Sequence, residues 1–240
     1  MKIIAETHCH TIASSHAYST VLENAQAAKQ KGLSYLAITD HGVAMPDAPH
    51  IWHFSNLKTL PAEIDGVKIL KGVEANILDT GGKLDLPDSL LRKLDWVIAS
   101  FHEPTFPPST VKDHTEAYLR IAENPYVDCI GHAGDERFRF ELDPVIRAFK
   151  EHHKIVEINA HSFSARRGAK ENCRRIAEAC KRYEVPVVLS SDAHFAYEIG
   201  FIENSVNLLK EIDFPQELIL NGDEEQFQAF LAYKRREKMK

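Results

Sequence analysis

A repeated alternation of short apolar runs with longer amphipathic stretches is the feature that most constrains the fold of this chain. Runs without polar alternation are typical of strands that are covered on both faces, as in parallel sheets. Seven such runs, rich in β-branched residues, are predicted to be strands: 2–8, 34–40, 67–77, 95–101, 127–133, 154–160 and 185–192. Strands that alternate with helices predict parallel βαβ units, arranged either as a barrel or as an open doubly wound sheet.

Amphipathic patterning predicts the helices. Thr20 and Glu23 form a capping-box sequence, which predicts a helix that runs to about Lys31. Residues 223–238 predict a closing helix. Its core face is expected to comprise Phe227, Phe230, Leu231 and Met239. The basic run KRREKMK at 234–240 is interpreted as a solvated helix end, because Lys and Arg suit a helix C-terminus.

Charge and composition exclude several classes of protein. A formal net charge of −6 argues against broad binding to nucleic acid, which favours a basic face. No apolar run reaches the roughly 18 residues of a membrane-spanning helix, and no apolar signal-peptide core is recognised, so no membrane partner is expected. The four cysteines form no C-x-x-C pair and are expected to be reduced thiols, which makes a cytoplasmic location the default.

The chain has an unusual number of histidines, 13 in 240 residues, and they are not scattered at random. Six of the seven predicted strands carry metal-ligating side chains at or near their carboxyl ends. These residues are His8 and His10, Asp40 and His41, Glu74, His102, His132, and Asp192 and His194. In a (β/α) barrel these ends meet at one face, whereas an open sheet would spread them along a line. The barrel is therefore the preferred fold.

The local spacing of these residues predicts a metal site. His8 and His10 are two positions apart, so an extended chain points both rings to the same face, and Asp192 and His194 have the same relation. A single histidine at a strand end is usually structural, but independent structural histidines would not select the same end of six strands. The whole set has the composition of a first-row transition-metal site.

The motifs that contain these residues resemble the PHP (polymerase and histidinol phosphatase) family, and most closely its YcdX-like small stand-alone phosphatase subgroup. The matching segments are HCH at 8–10, SHAYST at 15–20, TDHG at 39–42, GVEAN at 72–76, FHE at 101–103, GH at 131–132 and SDAH at 191–194. The likeness spans nearly the whole chain. It implies a single domain over residues 1–240 with a distorted (β/α)7 barrel and a trinuclear metal centre.

The resemblance also implies nine metal ligands. One ion would take His8, His10, Glu74 and Asp192; a second would share Glu74 and take His102 and His132; a third would take His16, His41 and His194. The implied cofactors are three divalent transition-metal ions, with zinc preferred and manganese or iron as alternatives. Glu6 stands where the family usually has Asp, and we expect it to support a ligand as a longer outer partner.

Charge favours a phosphate substrate. Three divalent ions, reduced by Glu74, Asp192 and a hydroxide, leave about three positive charges in the pocket, which suits a small phosphate monoester dianion. The resemblance and this charge together predict a phosphatase, a hydrolase of phosphoric ester bonds. In this hypothesis a metal-bound hydroxide held by Glu74 and Asp192 attacks phosphorus. The residues expected to bind substrate are Arg166, Arg167 and His53.

Other functions explain parts of the pattern. A phosphodiesterase or nuclease would use the same metals, but the chain is acidic and lacks interleaved basic and aromatic residues. An amidohydrolase would be expected to have a lysine at a strand end that bridges two ions. A metal store, or a scaffold with an inactive site, would need only ligands. The expected partner is therefore a small phosphorylated molecule rather than nucleic acid, and the sequence leaves homo-oligomerisation open.

Overall fold

The computed structural model describes residues 2–240 and contains all seven predicted strands. The strands are β1 (Ala5–Glu6), β2 (Tyr35–Ile38), β3 (Glu63–Ile64), β4 (Val67–Asn76), β5 (Trp96–Ser100), β6 (Cys129–Ile130), β7 (Ile155–Asn159) and β8 (Val187–Ser190). The sequence analysis did not predict β3, which pairs antiparallel with β4. Asp65 and Gly66 join the two, and both have positive φ, as tight hairpin turns require.

The other seven strands form a nearly closed parallel barrel in the order β1-β2-β4-β5-β6-β7-β8. The seam between β1 and β8 is joined by a parallel bridge between Cys9 and Ala193. There the backbone N–H of His10 donates to the Ala193 carbonyl at 2.8 Å. The predicted distorted (β/α)7 barrel is therefore confirmed, and the open doubly wound sheet is ruled out.

Helices connect the strands and cover the barrel. They are α1 (Val21–Gln30), α2 (Trp52–Asn56), α3 (Asp88–Leu91), α4 (Val111–Glu123), α5 (Leu142–Glu151), α6 (Ser162–Ala165), α7 (Ala169–Tyr183), α8 (Glu203–Glu211) and α9 (Glu224–Lys238). The capping box predicted for α1 is present. The Glu23 N–H donates to the Thr20 hydroxyl at 3.3 Å, and the Thr20 N–H donates to the Glu23 carboxylate at 2.7 Å. The backbone N–H groups of Thr20 and Glu23, which have no partner within the helix, are thereby satisfied.

Helix α9 closes the amino end of the barrel. Phe227 is fully buried, and its ring centroid lies 5.2 Å from that of Tyr35 and 6.0 Å from that of Trp96, the first residues of β2 and β5. Phe230 and Leu231 pack beside it, as predicted. The expected core contact of Met239 is wrong: this residue caps the helix end through its backbone N–H and is 71% exposed.

The interpretation of residues 234–240 as a solvated helix end is wrong for two lysines. Lys234 and Lys238 are only 3% and 5% exposed, because their long side chains extend from α9 under the barrel. Lys238 donates to the Asp128 carboxylate, and Lys234 donates to the Val127 carbonyl at 3.0 Å. Lys154 donates to the same carbonyl at 2.8 Å. We call Lys154, Lys234 and Lys238 around Asp128 the lysine cluster.

Two further expectations concern the cysteines and membranes. All four cysteines are buried free thiols, as expected. Over residues 2–240, none of the helices has both the length and the apolar character needed to cross a bilayer.

Candidate metal centre

The nine residues implied as ligands converge at the carboxyl end of the barrel, where the loops after the parallel strands meet. The ring centroid of His10 lies 4.3 Å from that of His41 and 4.3 Å from that of His194. The ring of His102 lies 5.0 Å from His41 and 5.0 Å from His132. Residues far apart in the sequence therefore share one small volume, as the barrel geometry requires.

Glu74 lies at the centre of this group, at the end of β4, and is fully buried. The nitrogen atoms nearest to its Oε1 are His132 Nε2 at 2.7 Å and His102 Nε2 at 3.3 Å; those nearest to its Oε2 are His41 Nδ1 at 2.8 Å, His8 Nε2 at 3.4 Å and His10 Nε2 at 3.6 Å. Burial alone would raise its pKa, but the surrounding imidazoles hold the pKa of Glu74 well below its usual range. A carboxylate in this position can bridge cations on its two sides.

Asp192 supplies the second carboxylate, directly after β8. Its Oδ1 lies 3.1 Å from His10 Nε2 and 3.4 Å from His8 Nε2. Its Oδ2 accepts hydrogen bonds from the Asn159 amide at 3.1 Å and from Arg166 at 3.3 Å. Its φ of +55° is a left-handed conformation that Asp adopts more readily than most residues. One oxygen thus faces the histidines and the other is held by the barrel wall.

Several buried nitrogen and oxygen atoms of this group, all of types that bind metals, have no hydrogen-bond partner within the described residues. They are His8 Nε2, His10 Nδ1 and His102 Nε2, together with His41 Nδ1 and Glu74 Oε2, which lie 2.8 Å apart but are not aligned as a hydrogen bond. Buried polar groups are normally satisfied, and each unsatisfied one costs about 1–3 kcal/mol. A cation bound among them would remove that cost, so the donor set is of the kind that binds metal.

The spacing of the donor atoms also fits metal ions. Three sets have their donor atoms within 4.8 Å of one another: His8, His10 and Glu74; His41, Glu74 and His102; and His10, His41 and His194. Imidazole nitrogens mixed with carboxylate oxygens are the donors that zinc and its first-row neighbours bind. The residues present therefore fit divalent transition-metal ions.

The electrostatics of the rings differ from one to the next. Burial lowers the pKa of His10 to about 3 and that of His102 to about 4, so both rings are neutral, the form that binds metal. His8 is also buried, but Glu157, Asp192 and Glu74 raise its pKa well above the ordinary value. The same three carboxylates that favour a proton on His8 would also favour a metal cation beside it.

Glu157 in β7 fixes two of the histidines. Its Oε1 lies 2.6 Å from His8 Nδ1, and its Oε2 accepts the backbone N–H of His132 at 2.6 Å. A carboxylate on the far ring nitrogen sets the tautomer and orientation of a ligating histidine. Glu157 and Asn159 are two positions apart in β7, so both side chains point to the same side of the strand, but no local signal in the sequence indicates the contact with His8.

Two other outer contacts hold ring nitrogens in the same way. His102 Nδ1 lies 2.7 Å from the Asn76 amide oxygen, and His16 Nδ1 is in close contact with the Asp47 carboxylate. Asp47 lies in the long loop after β2, where the sequence indicated no such role. His16 itself is nearly half exposed, so this edge of the group faces solvent.

Glu6 supports the backbone rather than a histidine ring. Its carboxylate accepts hydrogen bonds from the Ser191 hydroxyl at 2.6 Å, the Ser191 N–H at 3.1 Å, the Gly200 N–H at 3.0 Å and the His8 N–H at 3.2 Å. These contacts join β1 to the segment after β8. The expectation that Glu6 is an outer partner of the ligands thus holds only through the main chain of His8.

The two arginines predicted to bind substrate are placed differently. Arg166 is brought to the centre: its guanidinium donates to Asp192 Oδ2 at 3.3 Å and to the Ser162 hydroxyl at 3.0 Å. Arg167 is not, since its side chain is 93% exposed and its closest acid is Glu136 at 3.8 Å. Adjacent residues in this extended turn point to opposite sides.

His53 contacts Asp40 rather than one of the nine clustered side chains. Its Nε2 lies 3.2 Å from Asp40 Oδ2, and it lines a groove with Val21 and Trp52 that contains none of the nine side chains. Asp40 also lies outside the three donor sets. It accepts hydrogen bonds from the Thr11 N–H at 2.7 Å and from the Thr11 hydroxyl at 2.8 Å, so it fixes the loop that leads to His16.

Comparison with known proteins gives matches over most of the chain. Residues 6–161 match the model of the PHP domain, and residues 170–214 match the PHP-associated model. A probable phosphatase of Acetivibrio thermocellus is 47% identical over 235 residues, which are 98% of each chain. A probable phosphatase of Thermoanaerobacter sp. strain X514 is 46% identical over 238 residues, covering 98% of this chain and 97% of that protein.

Solved structures with a similar fold are more distant in sequence. A histidinol phosphate phosphatase from Lactococcus lactis, in complex with zinc, L-histidinol and phosphate, superimposes with a TM-score of 0.66 at 19% identity. That match covers 90% of this chain and 95% of the other. A chain of archaeal ribonuclease P with mature tRNA gives a TM-score of 0.57 at 15% identity, and the match covers 95% of this chain and 91% of the other. These two likenesses concern the fold alone.

Proposed function

This chain belongs to the PHP family, and on that premise we propose that it is a metal-dependent phosphatase that hydrolyses a small phosphate monoester. The enzyme class agrees with its relatives, which are named probable phosphatases and align over nearly their full length. The observation that carries the proposal is the set of buried, unpartnered imidazole nitrogens around Glu74 at the barrel mouth. Residues 1–240 would act as one domain, because the two matched segments contribute β1–β7 and β8 of one barrel.

The ions would be held by the nine clustered side chains. One ion would be bound by His8, His10, Glu74 and Asp192; a second by Glu74, His102 and His132; and a third by His16, His41 and His194. We propose zinc first, because the donors are mostly imidazole, with manganese or iron as alternatives. When bound, the ions supply positive charge for phosphate oxygens and lower the pKa of coordinated water towards roughly 7.

The chain itself would orient the phosphate and limit access of water. Arg166 is fixed beside Asp192 by two acceptors, so its remaining N–H groups are positioned for a phosphate oxygen. His8 and His10 are fully buried, whereas His16 and His194 are 48% and 21% exposed at the side chain. A substrate would therefore enter from the His16 and His194 edge, and its phosphate would lie deeper.

The location and partners follow from the same properties. We propose a cytoplasmic protein, since four buried free thiols are typical of a reducing compartment. A small phosphorylated molecule is the proposed partner, because the net charge of −6 disfavours nucleic acid.

The test combines element analysis with a pair of substrates. We expect about three transition-metal ions per chain, since nine donors serve three ions at about three each. We expect p-nitrophenyl phosphate to be hydrolysed faster than bis-p-nitrophenyl phosphate, with turnover that a chelator abolishes and added metal restores. Preference for the diester would favour the phosphodiesterase alternative. Full metal loading without turnover of either ester would contradict an enzymatic role.

A further inference from the structure

A cavity of about 440 Å³ opens beside the metal centre, between the loops that follow β5 and β6. Its wall includes His102, one of the nine clustered side chains, and Arg166, which is bonded to Asp192. Glu103 and Arg137 line the same cavity. A phosphate ester bound at the metal centre would have room here for its alcohol part.

Two carboxylates fix Arg137 in this wall. Its Nε donates to Asp135 at 3.1 Å, its Nη2 donates to Asp135 at 2.7 Å, and its Nη1 donates to Glu103. A guanidinium has five N–H groups, so one remains on each Nη atom. The two remaining N–H groups lie in the plane of the guanidinium, and the side chain is 48% exposed. They form a ready donor pair for ligand oxygens.

Glu103 places an acceptor beside this donor pair. Its Oε2 is used by Arg137, the side chain is 58% exposed, and its Oε1 accepts no hydrogen bond within the described residues. A hydroxyl group both donates and accepts, so neighbouring hydroxyls can bind Arg137 and Glu103 at once. Met45, Phe101 and Pro104 add apolar surface against which a carbon skeleton can pack.

The charge of the cavity excludes a second anionic group as its best ligand. Arg137 is neutralised by Asp135 and Glu103, and Arg166 is paired with Asp192. With no surplus positive charge, a second phosphate or a carboxylate would pay a desolvation cost without a free partner. An uncharged alcohol part that carries several hydroxyls meets both the donors and the acceptor.

We propose that the substrate is the phosphate ester of a sugar or another polyol, and that Arg137 and Glu103 determine this specificity. The proposal rests on the phosphatase function above and adds the chemical class of the alcohol. Neither residue is among those proposed to bind the phosphate, so both would act by selecting the alcohol part of the substrate.

The test compares two esters whose alcohol parts differ in hydroxyls, ribose 5-phosphate and p-nitrophenyl phosphate. For Arg137→Met the ratio of their kcat/KM values should shift about 10–100-fold against the sugar, mainly through KM, because hydrogen bonds to a charged group are lost. Glu103→Gln should shift the ratio in the same direction by about three- to tenfold. Arg139→Met is the matched control: this arginine is exposed, pairs with Glu136 and does not line the cavity. We expect less than a twofold change there.

Calorimetric titration of the metal-loaded protein with ribose 5-phosphate and with inorganic phosphate provides a readout that needs no turnover. Arg137→Met should weaken sugar phosphate binding relative to inorganic phosphate by about tenfold or more. Unchanged ratios in both the kinetic and the binding comparison would overturn the proposal. If no ester is hydrolysed, the phosphatase function fails, and the binding comparison still decides the polyol site. Should Arg137→Met fail to fold, the kcat/KM ratio of Glu103→Gln decides the proposal, because Glu103 is the more exposed residue of the pair.

Discussion

The two ends of the barrel both bury charged groups, but they satisfy them in opposite ways. At the carboxyl end, Glu74 lies among histidines, and several donor atoms have no partner within the described residues. At the amino end, each Nζ atom of the lysine cluster donates to carbonyl or carboxylate oxygens, such as those of Val127 and Asp128. Asp128 Oδ1 accepts no hydrogen bond from residues 2–240, but it lies 3.6 Å from Lys234 Nζ. Unsatisfied buried groups are costly, so they persist where a ligand compensates them. We therefore propose the first end as the binding site, whereas the contacts at the second end are structural.

This difference separates function from stability along one barrel. Substitutions at the mouth should change metal content and turnover, whereas substitutions in the lysine cluster should change the free energy of unfolding. Each prediction below tests one side of that separation.

The largest effect is expected from Asp192→Ala at the mouth. Loss of a carboxylate that faces two histidines should remove metal and lower kcat about a thousand-fold, because several kcal/mol of charge stabilisation are lost. Element analysis and steady-state kinetics measure both quantities. Asp143→Ala is the control, since that carboxylate is an exposed partner of Arg182. Full metal content together with normal turnover in Asp192→Ala would show that the ligand assignment is wrong.

A large effect on stability is expected from Asp128→Asn at the opposite end. Lys234 and Lys238 would lose the carboxylate that pairs with them, and breaking a buried ion pair costs about 3–5 kcal/mol. Urea unfolding of the variant and the parent measures this difference. Metal content should remain at the parental value. A loss below about 1 kcal/mol would show that the carbonyl contacts alone hold α9.

An intermediate effect is expected from Glu157→Gln, which keeps the size of the side chain but removes its charge. The contact with His8 Nδ1 would weaken, and loss of such outer partners lowers metal affinity about 10–100-fold. Competition with a chromophoric chelator gives the affinity. An unchanged affinity would mean that Glu157 serves the barrel and not the metal.

The smallest effect is a pH dependence of stability from Lys154. Burial, together with nearby Lys234, lowers the pKa of Lys154 to about 6, while an unfolded lysine titrates near 10.4. Between these values the unfolded chain binds more protons, so the free energy of unfolding should rise with pH, by at most about 1.4 kcal/mol per unit. Lys154→Met should flatten this rise between about pH 7 and 9. Parallel slopes for variant and parent would contradict the burial of a neutral amine.

The barrel and the clustered histidines could be predicted because both leave local signals. Continuous apolar runs mark buried parallel strands, and His8 and His10, two residues apart, share a face in any extended segment. The convergence of strand ends then follows from the fold class alone. These inferences need no knowledge of side-chain contacts.

The remaining features depend on tertiary contacts that the sequence does not encode locally. Glu157 reaches His8 only because barrel closure brings β7 close to β1, with β8 between them. A lysine in α9 gives the same sequence pattern whether it is buried or solvated. The choice between Arg166 and Arg167 is decided by the direction of one turn, which ends at Gly168 with φ +70°. Such choices are made by packing, after the elements have formed.

The seam between β1 and β8 determines when this protein can acquire its site during synthesis. His10 emerges early from the ribosome, whereas His194 follows the last strand. The set of His10, His41 and His194 therefore stays incomplete until β8 has been translated and has met β1. A prematurely terminated product that stops before β8 would retain most of the histidines and still lack this triad. On the proposed function, a metal ion would accordingly bind this set only after β8 has been synthesised and has paired with β1.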